Sequence, residues 1–160
     1  MTLDLNKLAQ RIIEQNQYMT IASSDKDGNA WVSPVVYAYD NDWNFYFVSI
    51  PNSKHCLNFK ENNKISVAIF DSHQDWGEGI GLQIEGEIKK LKLTEISNAI
   101  KIYFKRNYPY GTITEAFGKG LKNMLNKKLY RLYKLSSIRI WINNPNSDTD
   151  ERAEVELSNN

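Results

Sequence analysis

Ser49, Ser53 and Lys54 fall close together in the stretch "SIPNSKHCLNFKENNKISVAIFD", residues 49–71. The pattern reads as a strand end, a tight turn, a short helix capped by Asn52 or Ser53, and a further strand. A helix N-terminus flanked by a hydroxyl and an ammonium suits a phosphate. Its first backbone N–H groups have no partners within the helix, the helix dipole favours negative charge, and lysine adds a full positive one. The plainer alternative is a helix cap followed by a surface lysine. Other arrangements offer less chemistry. His55 and His73 are far apart and have no cysteine partner at ligand spacing, which argues against a metal site. No serine stands in a nucleophile elbow. Gly77, Gly79 and Gly81 in "GEGIG" lack the following helix of a dinucleotide fingerprint and read as a flexible loop. Cys56 reads as a buried helix cysteine rather than a nucleophile. The run "KIYFKRNYPYG" mixes basic and aromatic residues, but it reads as an amphipathic helix with a solvated Lys/Arg face rather than a nucleic-acid surface.

The elements that must hold these residues are short. Leu5, Leu8 and Ile12 recur at helical spacing over residues 3–16. "YMTIAS" and "WVSPVVYAY" read as strands joined by a turn centred on Asp27-Gly28, and Pro34 marks the second as an edge or a bulge. "DNDW" is a turn, and "WNFYFVSI" and "ISVAIF" are further strands. "LQIEGEIKKLK" alternates: Leu82, Ile84 and Ile88 take one face, while Gln83, Glu85, Glu87 and Lys89 take the other. Gly86 within it signals a bulge or bend. A helix is predicted over Thr94–Asn107, a weaker one over residues 113–127, and a long strand or strand pair in "KLYRLYKLSSIRIWIN". Short strands in a meander argue against βαβ units. They predict a mainly antiparallel sheet, closed or nearly closed into a barrel, with helices outside.

The 160 residues predict one domain over 1–143 and an acidic, irregular tail over 144–160. The tail carries about −4 and the body about +5, which is compatible with a small anionic ligand. No apolar run approaches the roughly 18 residues of a membrane span. The N-terminus is polar and amphipathic rather than signal-like. One cysteine permits no internal disulfide, so the expected location is the reducing cytoplasm.

Taken in order, these segments resemble the pyridoxamine 5′-phosphate oxidase-like family, the FMN-binding split β-barrels. The resemblance runs from about Tyr18 to Lys92 and is best in "NSKHCLNFKENNKISVAIFD" and "GLQIEGEIKKL"; the closing "YRLYKLSSIRIWI" is similar to the family's last strand. It implies an antiparallel split β-barrel of six to seven strands, and a homodimer with two FMN sites at the subunit interface. It further implies that Ser53 and Lys54 hold the FMN phosphate with Ser49 near it, and that Ser33, Pro34 and Val35 line the isoalloxazine. Gln83 is either a flavin contact or a solvated strand amide. Trp76, on a loop able to cover the flavin, and Trp141 are candidates on the substrate side. The family's true oxidases carry an arginine-rich phosphate grip and a C-terminal Arg and His; this chain has no matching "WR…RL" element. It therefore resembles the small relatives of that enzyme. The expected function is an FMN-dependent oxidoreductase serving a small-molecule substrate and an electron donor, with no side chain required as acid or base. Alternatives left open are a flavin-storage or sensor barrel, a haem-binding barrel using His55 or His73, a deazaflavin-dependent reductase, and a barrel that binds single-stranded nucleic acid through aromatics.

Overall fold

The computed structural model describes residues 2–77, 79–108 and 130–156. Among them, eight strands form one antiparallel sheet: β1 (Tyr18–Ser24), β2 (Ala30–Val36), β3 (Ala38–Tyr39), β4 (Asn44–Ser49), β5 (Lys64–Phe70), β6 (Gly81–Lys90), β7 (Arg131–Asn143) and β8 (Arg152–Glu154). Three helices among the described residues accompany it: α1 (Leu5–Gln15), α2 (Lys54–Glu61) and α3 (Leu93–Lys105). The strand order is β2-β1-β5-β6-β7-β4-β3, with β8 added to β7. β2 and β3 are therefore opposite ends of the sheet, yet only Tyr37 separates them in the chain. The sheet has to curl until its two edges meet, and the result is the expected split β-barrel. Pro34 does lie on an edge strand, where a missing N–H is tolerated.

Alternation separates inside from outside. In β6, Leu82, Ile84 and Ile88 are buried while Glu85, Glu87 and Lys89 are exposed. Gly86 falls where the β6–β7 register shifts. A Cβ there would come within 2.5 Å of Leu135 Cδ1 and of the Ser136 carbonyl oxygen, so glycine is required by close approach. Met19, Ile21, Phe45, Phe47, Val67 and Leu135 help fill the interior, joined by Ala9, Ile12 and Ile13 of α1 and by Cys56 and Phe59 of α2. A smaller core of Tyr46, Leu91, Ala99 and Leu132, flanked by Ile96 and Tyr103, packs α3 against the other face of β4 and β7.

Two features differ from the sequence reading. The basic face of α3 is not wholly solvated: Lys101 and Lys105 are exposed, but Arg106 turns inward. Its guanidinium donates to the carbonyls of Ile13 (2.8 Å), Asn16 (2.6 Å) and Tyr37. It also lies 4.2 Å from the centre of the Tyr37 ring. Arg106 thus ties the end of α3 to the end of α1 and to the residue that joins the two sheet edges. The tail is also less irregular than expected. Arg152–Glu154 pairs with β7, Arg139 and Glu154 are joined by two bonds of 2.9 and 2.8 Å, and Val155 enters the main core. The helix predicted over 113–127 lies outside the described residues. Among the described residues no helix is long and apolar enough to cross a membrane.

Candidate functional site

β4 ends at Ser49 and α2 begins at Lys54, so the turn between them hangs at the barrel seam. Ser53 is the N-cap of α2, but its hydroxyl makes no capping bond. It lies instead 3.3 Å from Ser49 Oγ and 3.1 Å from His55 Nε2, while Ser49 Oγ is 2.6 Å from the same nitrogen. On the other side of the imidazole, Ser33 Oγ is 3.0 Å from Nδ1 and accepts from the Trp31 indole N–H at 3.1 Å. Closure of the barrel brings β2 to β4, and His55 spans them. Three of the predicted residues, Ser33, Ser49 and Ser53, therefore meet around one buried histidine. Sequence reading weighed His55 only as a metal or haem ligand; its proximity to Ser49 and Ser53 was visible there, but Ser33 is supplied by a strand more than twenty residues away.

Lys54 stands beside this cluster with 45% of its side chain exposed, 3.4 Å from Asp25 Oδ2. Asp25 belongs to the β1–β2 turn, where Gly28 adopts a φ of +82°. Hydrogen bonds from Asn29 chiefly, with smaller help from Lys54, hold the Asp25 carboxyl below its usual range. The Cys56 thiol is buried at the same corner. Burial resists its ionisation, but hydrogen bonding from His55, Ser53, Tyr133 and Ser49 together outweighs this and draws its pKa down to about 7.

Pro34, Gln83 and Trp141 lie on the outer surface. Pro34 is opposite Thr20, Thr20 opposite Ala68, Ala68 opposite Gln83, and Gln83 opposite Trp141. Residues directly opposite share a face, so Pro34, Gln83 and Trp141 form one row across the outside of the barrel. Gln83 Nε2 lies 3.4 Å from Asn143 Oδ1, whereas Gln83 Oε1 is buried without a partner. The Arg139 guanidinium covers the Trp141 ring at 4.5 Å. Val35 turns inward and packs against the main core. Trp76, in the β5–β6 loop, is fully exposed and touches neither group. Among the described residues, no three His, Cys, Asp or Glu side chains are gathered as a metal site would require.

Fold and corner together define a split β-barrel with a hydroxyl-lined helix start at its seam. The family described as pyridoxamine 5′-phosphate oxidase matches residues 5–124, and the chain belongs to that family. No curated protein matches it. Solved structures share the fold at low identity. A haem-binding protein from Mycobacterium smegmatis superimposes with a TM-score of 0.73 at 13% identity over 97% of this chain and 59% of its own, so this chain spans about three fifths of that protein's length. A Clostridium acetobutylicum protein related to general stress protein 26 gives 0.69 at 11% identity, covering 97% of both chains. A FAD-binding protein from Mesorhizobium loti gives 0.63 at 17% identity, over 89% of this chain and 95% of its own.

Proposed function

We propose that this protein binds flavin mononucleotide as a homodimer and uses it to transfer hydride or electrons to or from a small molecule. The observation that carries this reading is the gathering of the Ser33, Ser49 and Ser53 hydroxyls beside Lys54 at the first turn of α2. Ser49, Ser53 and Lys54 would hold the phosphate, with Lys54 exchanging its Asp25 partner for a phosphate oxygen. The fit is supported a second time by Gln83, whose buried Oε1 lacks a partner and can accept from a ring N–H. Pro34, Gln83 and Trp141 offer a flat surface for a ring system, and Val35 would contribute through its backbone. The flavin, when bound, supplies the redox chemistry. The protein residues bind it, orient it and keep water from one face.

The outer sheet surface also exposes Tyr18, Val32 and Phe70, each more than half accessible. A second copy of the chain would cover them, and each ring would then lie between subunits. The haem alternative is less well supported. Both ring nitrogens of His55 are engaged by serines, and His73 is an exposed loop residue with Nδ1 3.0 Å from Asp71.

Titration of the purified protein with FMN and with riboflavin, followed by flavin fluorescence, tests the reading. Hydrogen bonds to a charged group contribute roughly 1.5–3 kcal/mol, so FMN is expected to bind at least about tenfold more tightly than riboflavin. Equal affinities, or a Soret band with no flavin uptake, would overturn it.

A further inference from the structure

We propose that Trp31, Ser33 and His55 form a positioning relay. It holds the His55 proton on Nε2 and so presents the Ser49 and Ser53 hydroxyls as hydrogen-bond donors to the phosphate of the bound nucleotide. The ligand in this inference rests on the flavin reading above; the relay itself rests on counting protons.

An indole N–H can only donate, and a serine hydroxyl has one proton and two lone pairs. Trp31 Nε1 fills one lone pair of Ser33 Oγ at 3.1 Å. The Ser33 proton then needs an acceptor, and the partner in reach that can accept is His55 Nδ1 at 3.0 Å. Ser33 is buried. If Nδ1 carried the proton instead, that hydroxyl hydrogen would be left without an acceptor, a penalty of the kind that buried polar groups avoid. With Nδ1 accepting, the neutral ring carries its proton on Nε2. Nε2 therefore donates, to Ser49 Oγ at 2.6 Å in preference to Ser53 Oγ at 3.1 Å.

The consequence lies in the two serines. Neither can donate into a protonated Nε2. One can donate to the other across 3.3 Å, but at least one hydroxyl proton is left over. Ser53 is only half-buried and Lys54 adjoins it, so that proton faces the side from which an anion would approach. The neighbouring Cys56 sulfur, to which both serines also hydrogen-bond, is a weak acceptor as a thiol and a strong one as the thiolate favoured above about pH 7, so the relay is tested with that sulfur removed. With the opposite tautomer one serine would donate into the ring, and a single hydroxyl proton would remain to be shared between the Ser49–Ser53 contact and the phosphate. The tautomer thus sets how many hydroxyl protons the corner can turn toward an anion, two with Nε2 donating and one with Nε2 accepting, and Trp31, an edge-strand residue 47% exposed, sets the tautomer.

The test uses the full chain labelled with ¹⁵N-histidine. It has two histidines, and a His55→Gln variant assigns their signals. In mildly alkaline buffer, in a Cys56→Ala background that removes the sulfur as an acceptor, His55 should carry its proton on Nε2. Trp31→Phe keeps the ring but loses the N–H; it should bring the other tautomer into the spectrum and weaken FMN about tenfold, leaving riboflavin within about twofold. Ser33→Ala breaks the same relay and should give the same loss of FMN preference. A proton on Nδ1 in that background, or Trp31→Phe binding FMN as its parent does, overturns the relay. Absence of FMN binding with the proton on Nε2 overturns the flavin reading and supports the relay.

Discussion

Replacing Lys54 by alanine removes a full positive charge from the start of α2 and little else. The side chain is 45% exposed, and its ion pair with Asp25 at 3.4 Å is of the surface kind, worth about 0–1 kcal/mol. FMN affinity is expected to fall about ten- to a hundredfold while the thermal midpoint stays nearly constant; an unchanged titration would count against the phosphate corner. Gln83 should behave differently. It lies in the outer row, so phosphate contacts persist without it. Gln83→Leu is expected to keep FMN within about tenfold but to shift its reduction potential by tens of millivolts, about 30 mV corresponding to about 1.4 kcal/mol for a two-electron couple. Redox titration against reference dyes reads this directly. Cys56 predicts a pH effect. Its folded pKa of about 7 lies below its ordinary value of 9.0. The thiolate is therefore favoured by folding: its stabilisation is fully present above the ordinary value and is lost as pH falls through about 7. Between these limits the wild type should gain on the order of 2–3 kcal/mol relative to Cys56→Ser, measured by denaturant melts across that window.

At the scale of elements, Arg106 is the residue whose loss should be felt furthest away. Four carbonyls, of Ile13, Glu14, Asn16 and Tyr37, accept from one guanidinium held among Tyr37, Tyr39 and Tyr108. Those carbonyls belong to the end of α1 and to the single residue between β2 and β3. Arg106→Ala should cost about 2 kcal/mol or more, because part-buried acceptors lose charged donors. Arg106→Lys should recover only part of it, since an ammonium has neither the planar fork nor the stacking surface. Denaturant unfolding checks both variants; a lysine as stable as wild type would show that charge alone matters.

For the whole molecule, the expectation is assembly. Tyr18, Val32 and Phe70 stand exposed on the same outer sheet surface as Pro34, Gln83 and Trp141. Burial of such a surface against a second copy is favourable at roughly 25 cal/mol per Å² of apolar area. Light scattering should give about twice the 18.6 kDa chain mass, and Val32→Lys should lower it and weaken FMN together. A monomer that binds FMN normally would separate the cradle from the interface.

Much of this protein is decided locally, and that part is legible in the chain. Period two places Leu82, Ile84 and Ile88 inside and Gln83 outside; Asp27-Gly28 turns β1 into β2; Ser49, Ser53 and Lys54 reach one corner because a turn and a helix start need only neighbouring residues. The order of short strands is enough for the barrel class. What tertiary structure alone decides is which distant groups meet. Ser33 joins Ser49 and Ser53 because the sheet curls until β2 reaches β4, and no local pattern encodes that closure. The same holds for Gln83 beside Trp141, which depends on the β6–β7 register, and for Arg106, whose inward turn depends on carbonyls near residues 13–16 and 37. A polar side chain points to where its partners are. Partners separated by tens of residues become neighbours only after hydrophobic burial has set the path of the backbone.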